Sequence, residues 1–217
     1  MDFHTASGVL TSTPNRLIVA GWTGRNRSAV DHHIEELAAL GVPAPSSVPL
    51  YYQCAPSLLT QEAVIQVLGP DTSGEAEPIL LRTGGTTWIG LASDHTDRAL
   101  EAHSVAASKQ VCAKPVADRL WKLEDVAGHL DDLKLQSWIL EDGDWRAYQD
   151  GTLASILPLQ RLIEGARLED GTAMLCGTLP AIGGVRPAAD FRMALTDPIH
   201  DRSIVWGYKT SSLEIIS

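Results

Sequence analysis

The stretch Glu75–Asp94, EAEPILLRTGGTTWIGLASD, consists of two largely apolar runs that flank Gly84 and Gly85. A Gly-Gly pair is typical of a two-residue hairpin turn, because glycine adopts a positive φ without strain. With the two glycines at the turn, Glu75 at one end of the stretch faces Asp94 at the other. The sequence therefore predicts a β-hairpin in this segment.

The open end of this hairpin brings three carboxylates together. Side chains two residues apart in a strand share a face, so Glu75 and Glu77 point the same way, and Asp94 joins them from the facing strand. Directly opposed like charges destabilise a sheet, whereas a hard divalent cation binds such oxygen ligands. The spacing predicts a metal site, with a solvated acidic strand face as the alternative. Pro78 is typical of an edge strand or a bulge, and a bulge there would shift the two glutamates out of register.

The composition is that of an acidic globular protein. The 217 residues are 44% hydrophobic and 20% charged, with a formal net charge of −10 and three cysteines. This length, without a long linker, predicts a single domain over residues 1–217. Acidity without a lysine-rich tail disfavours nucleic acid as a partner, and no run approaches the ~20 apolar residues of a membrane span. The first residues do not resemble a secretory signal, and isolated cysteines are typical of a reducing compartment, so we expect a cytoplasmic protein that binds no membrane.

Strand patterns predominate in the rest of the chain. Short apolar runs bounded by Gly, Pro and Asp predict strands at Leu17–Gly21, Leu133–Leu140, Trp145–Gln149, Ala173–Cys176, Phe191–Leu195 and Ser203–Tyr208. Helices are predicted over Ser28–Leu40, with Ser28 and Asp31 as a capping box, over Leu123–Leu133, and over Thr152–Glu164, which contains Pro158. Because strands and helices do not alternate regularly, we expect a mainly β fold with short helices, of the α+β class, rather than a doubly wound sheet.

Basic residues follow the acidic cluster. Arg98 and Lys109 are positioned to anchor an anionic substrate or to neutralise developing negative charge. The alternative is a solvated helix over Thr96–Ser108 with ordinary surface charges. His95 directly follows Asp94, but strand alternation directs its side chain to the opposite face, and its role stays open.

Several segments in order form a recognisable set. These are Glu75-Ala76-Glu77, Ser93–Arg98 (SDHTDR), Ser108-Lys109-Gln110, Gly177–Gly184 (GTLPAIGG), and Gly24-Arg25-Asn26 followed by His33 and Glu36. Together they resemble the fumarylacetoacetate hydrolase superfamily, in particular an uncharacterised bacterial group within it, from about Gly21 to the C-terminus. The chain departs from the usual pattern at Asp97, Ala99 and Gln110, which makes the substrate unpredictable from sequence.

The resemblance implies a mixed β-sandwich roll, a homodimer, and a site with defined roles. Glu75, Glu77 and Asp94 would hold Mg²⁺ or Mn²⁺. Arg98 and Lys109 would be catalytic groups that also bind the substrate, and Thr178 would contact its carboxylate or oxo group. His33 and Glu36 would form a catalytic dyad that activates water.

The implied function is a divalent-metal-dependent hydrolase or lyase that acts on a small oxo or hydroxy carboxylic acid through an enolate-like intermediate, as in C–C bond hydrolysis of an acylpyruvate or β-diketone. A decarboxylase, isomerase or hydro-lyase on the same scaffold is an alternative, because one enolate-stabilising site serves all of these reactions. A non-catalytic binding protein that has lost the metal site is a further alternative. A cysteine nucleophile is disfavoured, because no histidine signature accompanies Cys112 or Cys176.

Overall fold

The structure is a computed structural model that describes residues 1–39 and 44–216, with the side chains of His33, Glu36, Leu37 and Ala39 outside the description. Strands dominate the described residues. In chain order they are β1 (Asp2–Thr5), β2 (Gly8–Thr11), β3 (Arg16–Gly21), β4 (Leu50–Cys54), β5 (Leu59–Thr60), β6 (Val64–Leu68), β7 (Thr72–Ser73), β8 (Ala76–Thr83), β9 (Thr86–Ser93), β10 (Thr96–Asp97), β11 (Lys114–Pro115), β12 (Trp121–Lys122), β13 (Lys134–Glu141), β14 (Asp144–Thr152), β15 (Thr172–Leu175), β16 (Asp190–Asp197) and β17 (Arg202–Leu213).

The helices are short. They are α1 (Arg27–Ala39), α2 (Arg98–Glu101), α3 (Val105–Gln110), α4 (Leu123–Val126) and α5 (Leu159–Ala166), with 3₁₀ turns at Pro56–Leu58, Leu130–Asp132 and Leu153–Ser155. Among the described residues, none of the helices has the length and apolar character needed to cross a membrane. The predicted mainly β fold with short helices is confirmed.

Two of the three predicted helices differ from the structure. The helix expected over Leu123–Leu133 is reduced to α4 and a 3₁₀ turn, with Gly128, a poor helix former, between them. The helix expected over Thr152–Glu164 begins only at Leu159, because Pro158 cannot continue a helix from its N-terminal side. α1 forms as expected, but its first turn is capped by the side chain of Asn26, which accepts from Ala29 N, rather than by Ser28.

Two sheets form the body of the molecule. The six-stranded sheet has the order β12-β9-β8-β15-β3-β4, antiparallel except where β15 and β3 run parallel. The five-stranded sheet has the order β14-β13-β16-β17-β6, with β17 and β6 parallel. One core cluster lies between the two sheets and includes Leu80, Ile89 and Met193. A second cluster, with Ile79 and Leu81, covers the opposite face of the six-stranded sheet, which we call the outer face.

Burial on both faces explains the sequence of the six-stranded sheet. Strands β3, β8, β9 and β15 are buried over most of their length. A strand covered on both faces reads as a continuous apolar run rather than an alternating one. This is the pattern in LIVAG, PILL, WIGLA and TAML.

The hairpin of β8 and β9 forms in the predicted register. Thr83 pairs with Thr86, Glu77 pairs with Ala92, and Gly84 and Gly85 have φ of 59° and 75°. The backbone N–H of Asp94 donates to the carbonyl of Glu75 at 2.9 Å, which extends the pairing to the open end. The expectation of an edge strand or bulge at Pro78 was wrong. β8 lies between β9 and β15, the register is unbroken, and the Pro78 carbonyl accepts from Cys176 N at 3.0 Å.

Candidate metal centre and active site

The structure brings Glu75, Glu77 and Asp94 together at the open end of the hairpin, on the outer face of the sheet. One carboxylate oxygen from each lies within 4.8 Å of the others. Glu77 and Asp94 are buried, and Glu75 is partly exposed. Oxygen ligands of one Mg²⁺ ion, bound at ~2.0–2.1 Å, lie at most about 4.2 Å apart, so oxygens within 4.8 Å of one another are close to the spacing that one such ion requires.

Two lysines hold Asp94. The ammonium of Lys109, from α3, bonds Asp94 Oδ2, and Lys114 Nζ, from β11, lies 3.0 Å from Oδ1. Lys114 is fully buried and also donates to the His95 carbonyl at 2.5 Å. Burial alone would raise the pKa of Asp94, but the two ammonium groups outweigh burial and keep that pKa below its usual range. Asp94 is therefore ionised at neutral pH.

The pKa of Glu77 is shifted in the opposite direction to that of Asp94. Burial, and then the negative charge of Asp94, raise the pKa of Glu77 well above its usual value. Its Oε2 accepts one backbone hydrogen bond, from Gly177 N at 2.7 Å. Gly177 has a φ of 96°, and a Cβ there would lie 1.6 Å from Thr23 Oγ1, so glycine is required for this contact. The positive charge of Lys109 offsets these effects only in part, and a bound cation would supply more positive charge.

Arg98 supports Glu75. Its Nη2 lies 3.3 Å from Glu75 Oε1, its Nε donates to Ser73 Oγ at 2.7 Å, and its Nη1 donates to Glu101 at 2.8 Å. Burial would lower the pKa of Arg98, but Glu75 and Glu101 outweigh it and raise that pKa, so the charge is permanent. Because the guanidinium is bonded to protein groups on three sides, the geometry favours a positioning role for Arg98 over the predicted contact with a substrate.

The Ala76 peptide, between the two glutamates, is clamped from both sides. Gln149 Oε1 accepts from Ala76 N at 2.9 Å, and the Thr178 hydroxyl donates to Ala76 O at 2.7 Å. Gln149 Nε2 in turn donates to Thr178 Oγ1 and, at 2.8 Å, to Leu179 O. The single hydroxyl proton of Thr178 is thus committed to the backbone. The predicted contact between Thr178 and a substrate stays a prediction.

A β-bulge aims Gln149 at this peptide. In the pairing of β13 with β14, Ser137 faces Gln149 while Trp138 faces Ala147, so Tyr148 is the extra residue. Tyr148 and Gln149 are consequently both buried, where strict alternation would expose one of them. Gln149 Oε1 also accepts from Ser137 Oγ at 2.7 Å, which completes the hydrogen bonds of its amide.

His95 lies between β9 and β10, and its side chain contacts other groups than that of Asp94, as alternation predicts. Its ring nitrogens bond Tyr208 Oη and Thr72 Oγ1, each at 2.9 Å. Burial, with the charges of Lys114 and Arg98, lowers the pKa of His95 to about 3, so the ring is neutral. His95 therefore ties the segment after Asp94 to β7 and β17.

The proposed dyad lies in α1, where the backbone at positions 33 and 36 is helical. The side chains of His33 and Glu36 are outside the described residues, so their catalytic role stays a prediction.

A second group of metal-binding residue types is built differently. Asp197 accepts from His129 at 2.9 Å, from His200 at 2.7 Å and from Arg202 at 3.0 Å. It also accepts from the backbone N–H groups of Ile199 and His200. The oxygens of this carboxylate are already occupied by hydrogen bonds from a guanidinium and two backbone amides. The positive charge of the guanidinium also disfavours a metal ion at this place.

The acidic cluster passes a chemical test for a divalent ion. It offers oxygen donors only, as hard cations prefer. Asp94 is held ionised, burial and the charge of Asp94 outweigh the positive charge of Lys109 at Glu77, and Asp94 Oδ1 accepts no hydrogen bond of good geometry from the described residues. Glu75, Glu77 and Asp94 are thus the residues that would hold Mg²⁺ or Mn²⁺.

The chain belongs to the family described as protein of unknown function DUF2848, whose sequence model matches residues 20–208. No curated protein sequence matches the chain significantly.

Solved structures share the fold. A crystal structure of Cg1458 with an inhibitor has a TM-score of 0.69 at 16% identity, covering 95% of this chain and 81% of that one. A Burkholderia cenocepacia protein, provisionally named a fumarylpyruvate hydrolase, has a TM-score of 0.65 at 15% identity, covering 98% and 95% of the two chains. A 2-keto-3-deoxy-D-arabinonate dehydratase complexed with magnesium and 2,5-dioxopentanoate has a TM-score of 0.62 at 14% identity, covering 93% and 75%. The predicted resemblance to the fumarylacetoacetate hydrolase superfamily is confirmed at the level of the fold.

Sequence reasoning missed Lys114 and Gln149. Lys114 had a weak signal, a lone lysine in the apolar stretch VCAKPVA. Gln149 had none, because strand alternation does not reveal which residue a bulge turns inward.

Proposed function

We propose that this protein is a divalent-metal-dependent enzyme that acts on a small oxo or hydroxy carboxylic acid as a hydrolase or lyase. The observation that carries the proposal is the convergence of Glu75, Glu77 and Asp94 within 4.8 Å, with Glu77 and Asp94 both buried. C–C bond hydrolysis of an acylpyruvate or β-diketone is the reaction we expect, with a decarboxylase, isomerase or hydro-lyase reaction on the same site as alternatives.

A bound Mg²⁺ or Mn²⁺ would supply Lewis-acid stabilisation of enolate charge. The protein groups around it have distinct tasks. Asp94 stays an anionic ligand at neutral pH because Lys109 and Lys114 hold it ionised. Lys109 is a permanent cation as well: burial would lower its pKa, but Asp94 and Glu75 outweigh burial and raise it. Lys109 would therefore contribute fixed positive charge toward a substrate rather than act as a base.

The charge balance favours an anionic substrate. Four carboxylates, those of Glu75, Glu77, Asp94 and Glu101, lie with three cations, those of Arg98, Lys109 and Lys114. With all groups ionised, the cluster has one net negative charge, and a divalent ion would turn this into one net positive charge. A substrate with one carboxylate would restore neutrality.

The fold neighbour that is complexed with magnesium and 2,5-dioxopentanoate supports the same class of chemistry.

Two expectations accompany the proposal. The homodimer is a prediction that light scattering after size exclusion would check, and the cytoplasmic location is a prediction as well.

The test has two stages. After chelation, Mn²⁺ or Mg²⁺ at millimolar concentration should raise the melting temperature of the wild type but not of Asp94→Asn. The metal-loaded protein should then convert a member of a panel of 2-oxo and 1,3-dioxo acids, with products identified by mass spectrometry. A chelated wild type that no metal stabilises would instead favour a non-catalytic protein.

A further inference from the structure

Trp22 has a backbone conformation that its sequence neighbours do not explain. Its φ is 60°, and the other non-glycine residues with positive φ among the described residues are Asp142, Arg167 and Asp201. Asp142 and Asp201 lie in hairpin turns and Arg167 ends α5, where this conformation is common. A bulky residue in this region is an outlier, and such strain is concentrated at functional sites.

The strained residue lies at the same edge of the sheet as the acidic cluster. β15 and β3 are parallel neighbours, and β8 is antiparallel to β15. The end of β3, Gly177 just after β15, and Glu77 near the start of β8 therefore lie side by side. The close approach of Thr23 to Gly177 confirms this juxtaposition. β8 and β3 are separated by two strand spacings, so Trp22 follows β3 at about 10 Å from Glu77.

Tyr52 connects Trp22 to the cluster. The Trp22 indole N–H donates to Tyr52 Oη at 3.3 Å, and the Tyr52 ring centroid lies 5.8 Å from the Lys109 ammonium, which bonds Asp94. A Cβ on Gly21 would lie 2.8 Å from Cε2 of Tyr52, so this glycine lets the ring lie close against the backbone of β3. Both aromatic side chains are partly exposed. They form an aromatic pair that extends from Lys109 along the sheet edge, with its position fixed by a glycine and a hydrogen bond.

We propose that Trp22 and Tyr52 form a subsite for a planar apolar group, aromatic or conjugated, at the end of the substrate distal to its oxo-acid head. The inference rests on the proposed function, because it places the oxo-acid head at the carboxylate cluster and Lys109. The separation of about 10 Å leaves room for a short linker between head and planar group. Planar groups stack on or pack edge-to-face against aromatic rings, and an aromatic wall favours them over polar chains.

The probes are pyruvate and 4-phenyl-2-oxobutanoate, which share the chelating head and differ in the distal phenyl group. Binding to the Mn²⁺-loaded protein is measured by calorimetry. We expect the phenyl compound to bind at least about tenfold more tightly, which corresponds to about 1.4 kcal/mol.

The decisive variant is Trp22→Gly, because glycine adopts the observed φ without strain and the backbone can keep its course. We expect this variant to bind pyruvate like the wild type and to lose the preference for the phenyl compound. Trp145→Ala is the matched control: that indole lies 3.8 Å from the guanidinium of Arg192, on the five-stranded sheet. It should leave both affinities unchanged.

The outcomes separate the two proposals. If the Mn²⁺-loaded wild type binds neither compound, the proposed function fails, and this inference fails with it. Equal affinities in the wild type would overturn the subsite alone, and so would a phenyl preference that persists in Trp22→Gly. Loss of pyruvate binding in Trp22→Gly would show that the residue supports the fold rather than selects the substrate, which also overturns the subsite.

Discussion

Gln149→Leu isolates the contribution of the clamp on the Ala76 peptide. Leucine has a similar volume but no hydrogen-bonding group, so Ala76 N and Leu179 O, both buried, lose their partner. Each buried unpaired polar group costs about 1–3 kcal/mol, so the loss of two partners should lower the free energy of unfolding by about 2–6 kcal/mol. In a domain of this size that corresponds to a melting temperature lower by about 4–24 °C.

The effect on metal affinity is the specific part of this prediction. Ala76 lies between Glu75 and Glu77, so a looser peptide widens the range of positions available to both ligands. Loss of such outer contacts typically weakens metal binding by about 10–100-fold. Mn²⁺ affinity is measured by calorimetry, and stability by circular dichroism in chelator.

Ser137→Ala is the control, because it removes one bond to Gln149 Oε1 but leaves the bonds to Ala76, Thr178 and Leu179 in place. Its Mn²⁺ affinity should equal that of the wild type. If Gln149→Leu is destabilised yet binds Mn²⁺ as tightly as the wild type, the clamp supports only the fold and the reasoning is refuted.

Three further substitutions test the electrostatics. The folded-state pKa of Glu77 is raised above its usual value, so in chelator the protein should lose stability as the pH rises above the usual glutamate range, and Glu77→Gln should remove that loss in thermal melts. Burial would raise the pKa of Asp197, but its bonds from His200, Arg202 and His129 keep it below the usual range, so its contribution is present above about pH 4 and lost in acid. Asp197→Asn should lower the free energy of unfolding by about 1–3 kcal/mol at neutral pH and should reduce the further loss of stability in acid. An unchanged loss of stability in acid would contradict this. Lys114→Met removes one of two cations from the buried Asp94 and should cost about 3 kcal/mol in urea unfolding, whereas a neutral result would show that Lys109 suffices.

The hairpin and its acidic end could be predicted because local rules determine them. Two glycines define the turn, strand alternation defines the faces, and the register then places Glu75, Glu77 and Asp94 together. Pro78 misled the local reasoning, because its missing N–H suggested an edge while the apolar run on both sides placed β8 inside the sheet.

The rest of the site depends on long-range contacts that no local pattern carries. Gln149 reaches Ala76 from the other sheet through a bulge, and Lys114 reaches Asp94 from β11. The αL conformation of Trp22 is not a preference of tryptophan but a consequence of the chain path after β3. The helix errors have a similar cause, since the apolar spacing over Leu123–Leu133 belongs to a short helix, a 3₁₀ turn and the residue that precedes β13.

The central claim is that three carboxylates at the end of one hairpin form a single divalent-metal site. A crystal soaked in Mn²⁺ and measured at a wavelength where manganese scatters anomalously tests it directly. We predict one strong anomalous peak per chain, bounded by the oxygens of Glu75, Glu77 and Asp94, and no such peak in Asp94→Asn crystals. A map with no peak at these residues, or with the ion bound at His129, Asp197 and His200 instead, would contradict the account.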